Sequence, residues 1–250
     1  MKIEWIFVSY LAMEYRYTAI VLKKREVGET DRLYTFYTKE QGKIRAVAKG
    51  IRKSGAKLAS QLENGMLADV AVARTRGTGK ITGALAEESY PKIRVRFGIL
   101  RTVLSTLDRF EQLIQFDEPD QKLYRFLADF LKCSEKSAED DDEARVRLLS
   151  TAFLFRTIAQ LGYGMEVRVS AVSGQKFSED GRFFFSPAQG GIVLPSECGE
   201  HPSILISRNV IKLLRVFQEH SLSAVMKIRV SDRDVRDTER AIRYLIEWIL

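Results

Sequence analysis

Side chains that usually carry covalent or metal chemistry are scarce in this chain. Its only histidines are His201 and His220, and its only cysteines are Cys133 and Cys198. Neither histidine stands beside a serine or cysteine motif that would make it the base of a nucleophile. Cys198 and His201 form a C-x-x-H pair, half of a zinc site by spacing, yet a structural zinc needs four ligands and Cys133 lies far upstream. Asp232 and Asp234 are flanked by Arg233 and Arg236, a pattern of solvated salt bridging rather than acid–base work. The stretch "RTRGTGKI" (74–81) has the outline of a phosphate loop, but Arg74 takes the place of its first glycine. Ile81 takes the place of the hydroxyl that would ligate Mg²⁺, so it reads as a glycine-rich hairpin turn carrying Arg74, Arg76 and Lys80. The sequence thus predicts no catalytic residue, no metal, no cofactor and no enzyme.

One stretch has chemistry of another kind. Residues 43–57, "KIRAVAKGIRKSGAK", hold six cations (Lys43, Arg45, Lys49, Arg52, Lys53 and Lys57) and no acid. A solvated face usually mixes signs to limit self-repulsion, so the run reads as a cradle for a polyanion, with a plain basic surface as its competitor. Lys23, Arg25 and Arg32 precede it and extend the candidate nucleic-acid contacts. Tyr34, Phe36 and Tyr37 lie close enough in sequence to be candidates for stacking on exposed bases.

These residues need elements to position them. "RYTAIVLKKREV" (16–27), "DRLYTFYTKEQG" (31–42) and "KIRAVAKGI" (43–51) are rich in β-branched and aromatic residues and broken at "GET" and "QGK". In the third, a period of two puts Ile44, Ala46 and Ala48 on one face and Lys43, Arg45, Val47 and Lys49 on the other. A helix-like piece, "GAKLASQLENG", precedes two further strands at 66–75 and 80–90. Five strands with a helical insert after the third give the element order of an OB-fold barrel, a five-strand sandwich being the alternative.

From residue 95 the period becomes helical, with stripes through Leu100, Val103, Leu107 and Phe110, then Leu123, Leu127 and Phe130, then Val146, Leu149 and Phe153. Residues 164–204 are turn-rich and irregular, and helices return at about 207–220 and 235–249. The expected class is α+β: an OB-fold nucleic-acid-binding domain at 13–92, then a helical domain at 93–250 with an irregular insert at 164–204. Residues 1–12, including most of the apolar "WIFVSYLAM", are expected to be an upstream extension, with Met13 as the functional start.

Charge follows the same division. The net charge is +7 over 250 residues, but residues 13–110 hold 20 Lys/Arg against 10 Asp/Glu, whereas 111–143 hold 4 against 11, ending in "EDDDE" (139–143). The basic surplus belongs to the strand-rich part, where an anionic partner is expected. Two cysteines suit a reducing cytoplasm, and no apolar run approaches the roughly 18 residues of a spanning helix.

The stretch "YTAIVLKKREVGETDRLYTFYTKEQGKIRAVAKGIRKSGAKLASQLE" (17–63), with "FLFRTIAQLGYG" (153–164) and "FFFSPAQGGIVL" (183–194), is similar to the RecO family of bacterial recombination mediators. The resemblance implies an N-terminal OB-fold that binds single- and double-stranded DNA, followed by a helical domain. It also implies displacement of single-stranded-DNA-binding protein, strand annealing, and work with RecR to load RecA, all in the bacterial cytoplasm. Many members carry C-x-x-C … C-x-x-C in the insert. Here the first pair aligns with Ser170 and Ser173, and the second with Pro195 and Cys198, so the zinc ligands are lost. Two other readings compete: an RNA-binding OB module, and an adaptor whose basic face docks an acidic peptide, such as the acidic tail of single-stranded-DNA-binding protein.

Overall fold

The computed structural model describes residues 13–53, 56–74, 78–178 and 181–250, with only the backbone of Lys57. The expectation for residues 1–12 therefore lies outside the described residues. Two compact units form: one ends at Ser89 and also takes in Phe116–Gln121, and the other comprises Tyr90–Gln115 and Lys122–Leu250.

The first unit is a closed five-stranded barrel. Its strands are β1 (Met13–Val27), β2 (Asp31–Thr38), β3 (Gly42–Ala48), β4 (Leu67–Arg74) and β5 (Gly79–Glu88), in the order β1-β2-β3-β5-β4. The expected helical insert is a short 3₁₀ segment, Lys57–Gln61. Closure depends on the 15-residue length of β1: Met13–Ile20 pairs with β4, and Ala19–Val27 pairs with β2. Closing β1 onto both partners removes the free edges that an open sheet would leave. All pairings are antiparallel except β3 with β5.

The interior is built from unequal side chains. Ala19, Ala46, Ala48 and Ala68 leave room that Tyr17, Tyr34 and Phe36 fill, with Ile44, Val70, Val72 and Ile81 completing the core. Small barrels commonly combine small and large residues in this way because the interior is too narrow for large ones throughout. The alternation expected in the third strand is observed: Ile44, Ala46 and Ala48 are buried, while Arg45 and Lys49 are exposed.

The second unit is mainly helical. It contains α1 (Pro91–Val95), α2 (Phe97–Leu113), α3 (Gln121–Glu139), which begins at the last residue assigned to the barrel unit, and α4 (Glu143–Gln160). The helices α5 (Arg208–Glu219), α6 (Leu222–Val225) and α7 (Asp232–Ile249) follow the insert. Helix α4 is apolar or small on nearly all sides, as a central helix must be, and Phe153 on it meets Phe110, Phe126 and Phe130 with ring centroids 4.8–5.5 Å apart. The stretch expected to be irregular contains a three-stranded sheet, β6 (Phe183–Ser186), β7 (Gly191–Val193) and β8 (Ile204–Ile206), in the order β7-β6-β8. Its strands are only three or four residues long and are separated by turn-rich sequence, which hides their period.

Candidate nucleic-acid interface

Strand register decides which cations share a surface. Lys23 on β1 pairs with Thr35 on β2, which pairs with Arg45 on β3. In the neighbouring row Arg25 pairs with Leu33, Leu33 with Val47, and Val47 with Lys80 on β5. Paired residues point to the same face and adjacent strands lie about 4.8 Å apart, so these two rows carry Lys23, Arg25, Arg45 and Lys80 across one outer face of β1-β2-β3-β5. All four are exposed. Sequence separation from Lys23 to Lys80 is long, and only the barrel brings them together.

The turn after β3 extends this face with Lys49, Arg52 and Lys53, also exposed. It is held against the β1–β2 turn. The Gly50 amide donates to Asp31 Oδ1 at 2.8 Å and the Arg52 amide to the Thr30 carbonyl at 3.0 Å. The Arg52 guanidinium donates to the Glu29 carbonyl at 3.0 Å and pairs with Glu26 at 3.3 Å. The hydrogen bond from Gly50, with a second from Thr30 Oγ1, holds the Asp31 carboxyl below the usual aspartate range. An ionised Asp31 thus anchors a turn whose exposed side chains are cationic.

The other predicted contacts fall differently. Arg32 is half-buried and lies 3.9 Å from Glu26. Arg74 lies 3.6 Å from Asp117 and donates to Gln41 at 3.0 Å, so it serves the barrel's own packing. Arg76 and the Lys57 side chain lie outside the described residues.

Lys43 requires a correction: it is 5% exposed and does not join Arg45 and Lys49 at the surface. Phe116–Gln121 comes back to the barrel here, with a parallel bridge between Lys43 and Phe116 and a hydrogen bond from the Asp117 amide to the Lys43 carbonyl at 3.0 Å. The Lys43 ammonium lies 4.5 Å from the Phe116 ring centroid. Gly42 beside it has φ +67°, and a Cβ there would lie 2.1 Å from the Glu118 carbonyl oxygen. Only glycine meets both demands.

The proposed stacking residues also require correction, since Tyr34, Phe36 and Tyr37 are all at most 1% exposed. Tyr34 and Phe36 fill the barrel interior, stacked on each other with centroids 5.7 Å apart. Tyr37 is buried too, and its burial, with the charge of Asp120 beside it, pushes its hydroxyl far above the ordinary tyrosine range. The aromatic that does reach this surface is Phe116, 41% exposed with the Arg45 guanidinium 4.6 Å from its centroid. It was missed because its neighbours on β3 are some 70 positions earlier in the chain.

The insert contains a polar network where the resemblance places the lost ligands. Ser170 Oγ donates to Glu197 Oε2 at 2.6 Å, and the Leu194 amide donates to the same oxygen at 2.7 Å. Burial alone would raise the Glu197 carboxyl, but hydrogen bonds from Ser170, Ser173 and Leu194 outweigh it and hold it below the ordinary range. The amides of Val172 and Ser173 donate to Ser170 Oγ at 3.2 Å, and the Cys198 thiol lies 3.6 Å from the Leu194 carbonyl. Among the described residues no three His, Cys, Asp or Glu side chains converge as metal ligands would. No helix of the described residues is long and apolar enough to cross a membrane.

A closed five-stranded barrel with a basic outer face, followed in the chain by a helical unit, is the architecture of an OB-like domain with an accessory helical domain. The family profile described as "Recombination protein O N terminal" matches residues 13–90, and "Recombination protein O C terminal" matches 104–250. A DNA repair protein RecO from Dehalococcoides mccartyi is 26% identical over 237 residues, covering 95% of this chain and 91% of that protein. One from Frankia casuarinae is 29% identical over 208 residues (80% and 79%), and one from a Synechococcus species 30% over 199 residues (76% and 68%). The chain belongs to the RecO family of DNA repair proteins.

Proposed function

We propose that this chain is a nonenzymatic mediator of recombinational DNA repair that binds single- and double-stranded DNA through the outer face of β1-β2-β3-β5 and the 49–53 turn. The observation carrying this reading is the strand register, which sets Lys23, Arg25, Arg45 and Lys80 on one face beside Lys49, Arg52 and Lys53. Contacts to phosphate carry no sequence information, so binding is sequence-tolerant and suits annealing of any complementary pair. Phe116 offers the exposed ring on which a base could stack. The DNA-binding domain is then residues 13–92 with the returning Phe116–Gln121, and the remainder of 93–250 forms the helical domain. Membership of the family supports work with RecR, indirect loading of RecA, and action on DNA coated by single-stranded-DNA-binding protein in the bacterial cytoplasm.

The test is binding of fluorescent oligonucleotides across a salt series. Each neutralised phosphate changes the slope of log affinity against log salt by about 0.7 on single strands. Replacing Lys49, Arg52 and Lys53 by alanine is expected to flatten that slope by about two units and to slow annealing of coated strands. A triple alanine change at Arg233, Arg236 and Arg240, away from the barrel sequence, should leave both unchanged. Equal binding and annealing by the two variants would reduce the cluster to a solvated surface. A matched RNA competitor that outperforms DNA would point instead to an RNA-binding module.

A second reading is favoured by one further observation and is compatible with the first. A groove of about 670 Å³ in the helical unit is lined by Lys132, Lys136, Lys227 and Arg229 over Met226 and Ile228. Cations beside half-buried apolar side chains suit an acidic peptide, such as the acidic tail of single-stranded-DNA-binding protein. Charge reversal of Lys132 and Lys136 should abolish binding of such a peptide while leaving naked-DNA affinity intact.

A further inference from the structure

Helices packed side by side normally face one another with apolar stripes. Beside the apolar contacts of α2, α4 and α7 there is also a polar face on each helix. On α2 Arg101, Ser105 and Arg109 recur at four-residue intervals along one face; on α4 Glu143, Arg147 and Ser150 follow at intervals of four and three; and α7 adds Glu239 and Arg243. Together they line a cavity of about 350 Å³ in which Leu154 and Ile242 are the only large apolar side chains.

The charges in this cavity do not cancel. Glu239 accepts from Arg147 Nε at 2.8 Å and from one of its terminal guanidinium nitrogens, and Glu143 is approached by Arg101 at 3.5 Å. Arg109, half-buried, and Arg243, exposed, make no ion pair among the described residues, leaving two unmatched positive charges. Most of the hydroxyls are spent. Thr106 donates to the Thr102 carbonyl at 2.8 Å and is bonded to Ser150, and Thr151 donates to the Arg147 carbonyl at 2.8 Å. The donors left for a ligand are the guanidiniums and Ser105. Arg101 and Arg109 stand eight residues apart on one helix, about 12 Å along its axis.

We propose that this cavity is a binding site for a small phosphate-bearing anion, either inorganic pyrophosphate or the polyphosphate of a nucleotide. Planar guanidinium forks match phosphate oxygens two at a time, and two surplus positive charges match a multiply charged phosphate. The cavity has no aromatic wall and only two large apolar side chains, so of a nucleotide it would take the polyphosphate and not the base. The volume admits a small ligand but not a strand running through it. The inference is independent of DNA binding by the barrel, because none of its residues belongs to that face.

Isothermal titration of the full chain with sodium pyrophosphate, in phosphate-free buffer at low salt, tests it. One site per chain is expected, with affinity falling at least tenfold in R109Q/R243Q and unchanged in the alanine triple at Lys49, Arg52 and Lys53. Ser105→Glu, which sets a carboxylate at the cavity without touching the arginines, should produce the same loss and guards against a folding defect in the double variant. Parallel titrations with ATP identify the source of the phosphate: tighter binding than pyrophosphate means a nucleotide, equal or weaker binding a free polyphosphate. Pyrophosphate binding that is equal in the wild type and both variants overturns the site. A tetra-aspartate peptide that binds as tightly as pyrophosphate overturns the phosphate assignment, since the cavity would then respond to charge alone.

Discussion

Two loops in this chain are each pinned by one carboxylate, and they do opposite things. In the barrel Asp31 accepts from the Gly50 amide and holds a turn that presents Lys49, Arg52 and Lys53 to solvent. In the insert Glu197 accepts from Ser170 and the Leu194 amide and ties turn to turn. The first network holds a turn with exposed charge, whereas the second closes on itself. A carboxylate taking two or three N–H or O–H bonds can therefore serve either to display a surface or to replace a cross-link; which one depends on the side chains around it.

Five experiments bear on this contrast. The largest effect is expected from Phe36→Ala, which empties the barrel that carries the first loop: a fully buried phenylalanine lost from a packed core costs about 3–5 kcal/mol, seen as a large fall in the denaturant midpoint. Were Phe36 instead a surface stacking residue, stability would hold and only DNA affinity would drop. Next is Gly42→Ala, whose strained φ and contact with Glu118 should cost about 1–3 kcal/mol by the same measurement.

Smaller and local effects are expected from the anchors themselves. Asp31→Ala should loosen the basic turn and weaken DNA binding severalfold with little change in global stability. Glu197→Ala should raise amide exchange around residues 170–173 and 194–198 and leave DNA affinity alone. If Glu197→Ala weakens DNA binding as much as Asp31→Ala does, the functional distinction between the loops is lost. Smallest is the effect of pH. Both carboxyls have folded values below their ordinary ones of about 3.9 and 4.3, so the stabilisation they give is fully present above those values. It is lost as pH falls through the lower folded values. Amide resonances of Gly50 and Leu194 should therefore begin to move only at a lower pH than that at which unperturbed aspartate and glutamate carboxyls titrate.

The barrel was legible because its strands are local patterns: the period of two in β3 and the breaks at "GET" and "QGK" suffice to give five strands in order. The surface was less so. Consecutive residues of a strand point to opposite faces, so Tyr34 and Phe36 on the one hand and Tyr37 on the other could not all be exposed together if either face were covered. The alanine that pairs with Tyr34, Ala46, and Ala48 two residues on along the same face of β3 were a signal that large side chains had to fill the interior. For Lys43 and Tyr37 no such signal existed, because the segment associated with that part of the barrel begins at Phe116. Phe116 itself lies between two helices in sequence and shows no strand period. The insert's sheet was missed for a third reason: strands of three residues are shorter than the window in which alternation can be recognised.

The return of Phe116–Gln121 to the barrel unit also fixes an order of events in synthesis. The strands of the barrel are all made by residue 88, yet the last piece of that unit emerges only with residue 121, after the whole of α2. At about 5–20 residues per second, the nascent barrel waits on the order of seconds with Gly42 and Lys43 lacking their Glu118 and Phe116 neighbours. A fragment cut at the end of β5 would be held permanently at that stage, with its basic surface formed and the adjoining wall unfinished.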